Sequence, residues 1–224
     1  MANGTETSEA PRVRTIRQAA AALAERDPVI ARLVREIGLP RIPIPRGAPF
    51  AGLVRGIVYQ QLAGAAAGAI HRRLLLAVDG EASPERLLAL DDATLRAVGL
   101  SGAKVASLRD LAAKVADGSV VVEPRRLGRR TDAEIIAELT RVRGIGPWSA
   151  QMFLIFQMRR LDVWPTGDLA VRKGYGLGWQ TETPTQRELD VLGEPFHPYR
   201  TVAALYCWEV ARLRAGVKAP LITG

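Results

Sequence analysis

Residues 139–173 read LTRVRGIGPWSAQMFLIFQMRRLDVWPTGDLAVRK, and they constrain the fold more than any other stretch. Gly144 and Gly146 flank a single isoleucine, Ile145, between two segments of helical periodicity. Upstream, Thr131 and Glu134 have capping-box spacing, and Ile135, Leu139 and Val142 recur on one helix face. Downstream, Pro147 suits the first turn of a new helix, where a missing N–H does no harm. The pattern predicts a helix-hairpin-helix over 131–158. In it Ile145 plugs the core and both glycines adopt conformations closed to other residues.

Helix signals recur along the rest of the chain, and strand signals are nearly absent. Asp27-Pro28 offers an N-cap followed by an N1 proline, and Gly38 a C-terminal stop. The segment PRIPIPRGAP, 40–49, cannot be helical and reads as an extended crossing. Residues 50–63 and 64–78 read as two helices joined at a kink. Ser83-Pro84, Asp91 or Asp92, and Ser101 each start a further helix, and others are expected around 184–193 and 198–215. VGLSG, 98–102, faintly echoes VRGIG. VVVEP, 120–124, is the one strand-like run and is too short to build a sheet. The expectation is an all-α protein of about ten helices, with residues 1–12 disordered.

The chain has 224 residues and a formal charge of +8. Its pI is about 10.3. Residues 125–173 hold ten Lys or Arg against five Asp or Glu, so this segment supplies +5 of that excess. Such a balance favours a polyanionic partner. No run approaches the length of a membrane span, and residues 1–10 have no apolar signal core, which makes a cytoplasmic protein the expectation. Cys207 is the sole cysteine, which excludes an intramolecular disulfide, a cysteine zinc site and a four-cysteine iron–sulfur cluster. His71 and His197 are the only histidines, which argues against a His-based triad; His71 reads as a surface group and His197 as structural.

The hairpin residues themselves point to an anion. The amides of Gly146, Trp148 and Ser149 lie at a positive helix end, beside Arg141 and Arg143, and suit the shape of a phosphate whatever its base. Asp168, twenty residues past Trp148, can cap the helix beginning DLAVRK and can equally supply a carboxylate to a bound ligand.

VRGIGPWSAQMFLIF followed by DVWPTGDLAVRKG resembles the helix-hairpin-helix (HhH-GPD) superfamily of DNA glycosylases, most closely its 3-methyladenine DNA glycosylase II (AlkA-type) branch. GIVYQQLAG, 56–64, and PYRTVAALYCWE, 198–209, extend the likeness over roughly 50–212. The resemblance implies a two-lobed helical fold with a DNA-binding cleft between lobes. One lobe comprises 13–49 with 164–224, the other 50–163. It implies a monofunctional glycosylase of base excision repair that flips alkylated bases of the 3-methyladenine and 7-methylguanine type out of double-stranded DNA. Hydrolysis of the N-glycosidic bond then leaves an abasic site.

Residue by residue, the resemblance makes Asp168 the catalytic carboxylate and Trp148, Trp208, Met152 and Tyr59 the base pocket. Leu62 becomes the wedge that fills the emptied stack, with Gln61 beside it. Arg143, Gly144, Ile145, Gly146, Trp148 and Ser149 form the phosphate-binding hairpin. Main-chain oxygens of Thr140, Val142 and Ile145 match the positions that hold a structural Na+ or K+ in relatives; no other cofactor is implied, and a monomer is expected. Trp148 stands where strand-cleaving relatives carry a nucleophilic lysine, so no lyase activity is expected. Gly167 stands where relatives often have a second acid, and Met152 where some have an aromatic. The alternatives are a non-catalytic helix-hairpin-helix protein that recognises DNA shape, and a glycosylase for oxidised or mismatched bases.

Overall fold

The computed structural model describes residues 15–45 and 47–216. The expected disorder at 1–12 lies outside the described residues. Thirteen α-helices and one 3-10 turn account for the regular structure described. They are α1 (Ile16–Arg26), α2 (Pro28–Ile37), α3 (Pro49–Tyr59), α4 (Gly64–Ala77), α5 (Pro84–Ala89), α6 (Asp92–Ala97) and α7 (Gly102–Ala116). After these come α8 (Pro124–Leu127), α9 (Asp132–Leu139), α10 (Pro147–Phe156), α11 (Leu169–Trp179), α12 (Gln186–Leu192), the 3-10 turn Glu194–Phe196 and α13 (Arg200–Arg214). The all-α expectation holds, but "about ten" falls short. The short helices expected after Ser83 and Asp91 are present as α5 and α6, whereas α1 and α8 were not expected: the alanine run of α1 blurs its period, and four residues of α8 are too few to show one. No strand occurs among the described residues; Val120 and Val121 are buried as irregular chain.

Local signals set most helix starts. Asp27 caps α2 through Ile30 N at 2.8 Å, Ser101 caps α7 through Lys104 N, and Thr131 and Glu134 form the full capping box of α9. One boundary differs from expectation. Helix α3 stops at Tyr59 rather than continuing to 63, and Gln61 takes a left-handed φ of +56°. A separate turn therefore stands between α3 and α4, where two helices joined directly at a kink were expected.

The helices pack in two sets. Helices α3 to α10 meet mainly one another, with α7 beneath α3, α5 and α6, and α9 against α10. Phe50, Leu53, Val54, Ile57 and Val58 form one buried stripe along α3; each such side chain contributes about 2 kcal/mol on burial. Helices α1, α2, α11 and α13 form the second set, and its largest contact is α11 on α13. Helix α11 carries glycines at 174, 176 and 178, a composition that costs about 1 kcal/mol of helix propensity per residue. Close packing compensates. A methyl group on Gly174 would overlap the main-chain carbonyl of Cys207 on α13. Tyr175 stacks on Trp179 with centroids 4.5 Å apart, and the Trp179 indole donates to Asp27 at 3.0 Å.

Between the two sets runs the segment joining α10 to α11, and α13 holds it in place. The buried hydroxyl of Thr201 accepts from Val163 N at 2.9 Å and donates to the Arg160 carbonyl at 2.8 Å. Arg200 grips both oxygens of Asp162 at 2.8 Å. Trp164 is buried, and its indole donates to the Leu189 carbonyl at 2.8 Å. These anchors fix the start of α11, and with it Asp168. Gly174→Ala is therefore expected to destabilise the protein by about 3 kcal/mol or more, since the added methyl meets rigid backbone. A thermal melt of the variant within a degree of wild type would overturn the packing argument.

Candidate active site

The hairpin follows from its sequence. Ile145 is 5% exposed and is fastened by its own amide to the Val142 carbonyl at 3.1 Å. Gly144 has a φ of +77°, and a methyl group there would also overlap the Ser107 hydroxyl on α7. Glycine is thus required twice over. Gly146 departs from expectation. Its φ of −92° and ψ of 176° are ordinary extended backbone, because it serves as the N-cap of α10 rather than as part of the reversal. No side chain caps α10. The amides of Gly146, Trp148 and Ser149 meet no backbone carbonyl among the described residues, and Arg141 and Arg143 are exposed alongside. That leaves a positive helix end with open donors, suited to an anion.

Two side chains of α7 brace this turn, and sequence reading missed both. Asp110 accepts the Arg143 main-chain N–H at 2.7 Å, while Lys114 donates to the Arg141 carbonyl at 2.9 Å. The two also pair with each other at 2.6 Å. Their i, i+4 spacing is a visible signal, but it reads as an ordinary surface pair. The Arg143 amide, followed by the Lys114 ammonium, holds the Asp110 carboxyl below its ordinary 3.8.

Asp168 is the N-cap of α11. Its Oδ1 accepts from Ala170 N at 2.8 Å and Val171 N at 3.1 Å. Its Oδ2 accepts from the Trp148 indole Nε1 at 2.7 Å. The first amides of α11 and a side chain from the first turn of α10 therefore meet at one carboxylate. Trp148 remains 47% exposed, so a ring face is open to solvent while its N–H is engaged. The remaining lone pair of Oδ2 can serve a water or an electron-poor carbon.

The other expected residues are placed as follows. Leu62 is 39% exposed at the tip of the 60–63 turn, with Gln61 exposed beside it. Gln60, which the sequence places in this turn without a role of its own, donates to the Gly144 carbonyl at 2.9 Å and to the Ser149 hydroxyl at 3.2 Å. Trp208 is 7% exposed and stacks on Phe156 with centroids 5.9 Å apart. Met152 is half-buried against the core. The Tyr59 ring has the Arg55 guanidinium over one face at 4.3 Å and the His71 ring at its edge. His71 is half-buried rather than on the surface, and burial, then the Arg55 charge, lowers its pKa. His197 lies 2.8 Å from Asp162. No cluster of three or more metal-binding side chains occurs among the described residues.

A concavity of about 230 Å³ lies beside the segment joining α10 to α11. Asp132, Asp162, Asp190 and Glu194 line it against the single positive charge of Arg200. Burial raises the Asp132 pKa, with the Arg160 charge opposing. That acidic lining repels phosphate and separates the concavity chemically from the hairpin.

Comparison with known proteins follows the same geometry. The family model "HhH-GPD superfamily base excision DNA repair protein" matches residues 54–196. The DNA-3-methyladenine glycosylase 1 of Schizosaccharomyces pombe is 34% identical over 187 residues, spanning 81% of this chain and 82% of its own. Among solved structures, the S. pombe 3-methyladenine DNA glycosylase (Mag1) in complex with abasic DNA superposes with a TM-score of 0.75 at 32% identity. That match covers 86% of this chain and 95% of the other. A DNA-3-methyladenine glycosidase from Bacillus halodurans gives 0.80 at 31% identity, covering 88% and 91%.

Because the Asp110 pKa is depressed in the fold, its contribution is present above pH 3.8 and is lost as pH falls through the lower folded value. The melting temperature of wild type should exceed that of Asp110→Asn near neutral pH, and the gap should narrow below about pH 4. A gap that stays constant across that range would show that the Arg143 and Lys114 contacts do not stabilise the hairpin.

Proposed function

This chain belongs to the HhH-GPD superfamily of base excision DNA repair proteins, and we propose that it is a monofunctional DNA glycosylase for alkylated bases. The observation that carries the reading is the meeting of Trp148 and Asp168, a stacking surface and a carboxylate joined by a 2.7 Å hydrogen bond next to an open helix N-terminus.

The chemistry follows from these groups. A damaged strand settles its phosphate on the amides of Gly146, Trp148 and Ser149, with Arg141 and Arg143 adding sequence-independent attraction. Leu62 enters the duplex and the lesion leaves the stack. A base alkylated at N3 or N7 is cationic, stacks on an indole, and departs without a strong general acid. As the glycosidic bond lengthens, positive charge grows at C1′ of the sugar. The Asp168 carboxylate stabilises it and orients or deprotonates the attacking water. Trp148 holds Oδ2 on that line. An indole offers no amine for a Schiff base, so the sugar–phosphate chain stays intact.

The reading extends to a monovalent cation, which the main-chain oxygens of Thr140, Val142 and Ile145 would hold. The Thr140 and Ile145 carbonyls accept no backbone N–H among the described residues, and Val142 accepts one. Backbone carbonyls can replace the hydration shell of an alkali cation, and Na+ or K+ there would add positive charge beside the bound phosphate. The partner is double-stranded DNA carrying alkylated bases, engaged by a monomer. No helix among the described residues is long and apolar enough to cross a membrane, and association with DNA accords with the basic charge.

Methylated duplex DNA provides the test. Wild type should release free 3-methyladenine and 7-methylguanine, leaving sites that break only with alkali. Asp168→Asn should slow release by about a thousandfold while retaining DNA binding. Equal release by both proteins would remove Asp168 from the reaction, and breakage without alkali would contradict the role of Trp148. Trp148→Phe keeps a stacking ring but deletes the donor to the carboxylate. It should cost about tenfold to a hundredfold in single-turnover rate, the worth of one hydrogen bond to a charged group. An unchanged rate would show that the indole N–H does not position Asp168.

A further inference from the structure

The turn that carries Leu62 is held where it leaves α3 by two contacts absent from the reaction as derived above. At the end of α3, the Lys104 ammonium donates to the Val58 carbonyl at 2.6 Å. Two residues later Gln60 turns its side chain toward the hairpin, and its Nε2 reaches the Gly144 carbonyl at 2.9 Å and the Ser149 Oγ at 3.2 Å. The orientation of the Gln60 amide is fixed by chemistry. A carbonyl is an acceptor only, so the NH2 end must face Gly144. Beyond these anchors Gln61 and Leu62 project from the turn, Leu62 with 39% of its surface exposed.

We propose that Gln60 is a positioning residue for base eversion, a role that rests on the glycosylase reading. It sets Leu62 relative to the strand held by the hairpin and reserves the Ser149 hydroxyl proton for that strand's phosphate. The first part follows from mechanics. A wedge works only if it enters the stack at the nucleotide whose phosphate is gripped, and a turn free to wander would lose conformational entropy on each insertion. Gln60 removes that freedom in advance by fastening the wedge turn to the glycine that shapes the phosphate site. The second part follows from the hydroxyl inventory. Ser149 Oγ spends a lone pair on Gln60, and its proton meets no acceptor among the described residues. Residue 149 occupies the third position of α10, where its amide is open too. A phosphate oxygen at the helix end can therefore take both donors of one residue.

The test uses the full chain with Gln60→Met, which keeps length and neutrality but cannot donate, alone and combined with Leu62→Ala. Gln60→Met should slow single-turnover base release from a singly alkylated duplex about tenfold, the fold-change expected from two neutral hydrogen bonds. In the Leu62→Ala background the same change should cost no more than about twofold, because a wedge that is gone cannot be mispositioned. A full, additive loss in that background would overturn the proposal, as would a single variant as fast as wild type.

A second readout is independent of base release. With 2-aminopurine opposite an abasic site in a duplex, wild type should brighten the probe as Leu62 disturbs the stack. Gln60→Met should do so less at saturating protein, and equal brightening would refute the wedge role. If wild type releases no base at all, the glycosylase reading fails by itself, and the fluorescence still decides whether Gln60 sets the wedge. Ser149→Ala should weaken binding to undamaged duplexes of every sequence alike and lower the slope of affinity against salt. Unchanged binding would refute the hydroxyl part.

Discussion

The hydrogen bond from the Trp148 indole to the Asp168 carboxylate is the contact on which the site depends, because it joins the ends of two helices that the chain builds separately. Trp148 lies in the first turn of α10 and Asp168 is the cap of α11. At α11 the positive end of the helix dipole meets the carboxylate directly, and at α10 it lies one side chain away. One end is capped by the carboxylate and the other is left uncapped. The same local field can therefore hold a phosphate and, beside it, a negatively charged oxygen that faces the sugar. Neither helix could supply both functions.

Keeping those two ends in register requires anchors outside the site. The segment between α10 and α11 is fastened to α13 through Thr201 and Arg200, and α11 lies against α13 so closely that Gly174 has no room for a side chain. On the other side α7 braces the hairpin backbone with Asp110 and Lys114. Rigid helices thus hold a site made almost entirely of turns and caps. That is the economical arrangement where approach to a polymer must be open but the geometry of a few atoms must be fixed.

Charge is sorted in the same way. The hairpin keeps its arginines exposed, whereas acids gather around the concavity near Arg200, where Asp132 and Asp162 pair with Arg160 and Arg200. A chain with a net charge of +8 could bind nucleic acid loosely over a wide surface. Here a glycine turn with unused amides gives that attraction a definite phosphate-sized seat.

Much of this was legible in the residues. The capping box at Thr131 and Glu134, the plug at Ile145, the proline opening α10 and the cap at Asp168 are local devices whose spacing alone specifies them. Helices α1 and α8 escaped, one because a run of alanines blurs its period and the other because four residues do not complete one. Gly146 looked like a conformational glycine, yet adopts extended backbone because a cap has no need of positive φ. Sequence by itself determined that a helical hairpin with open amides is followed by a carboxylate at a helix start, since those are properties of neighbouring residues. Only the tertiary structure decided that Trp148 reaches Asp168, that Gln60 fastens the wedge turn to Gly144, and that Asp110 and Lys114 hold the hairpin. Each of these contacts joins residues far apart in the chain, and it is the packing of helices against one another, which no local spacing encodes, that sets such distances.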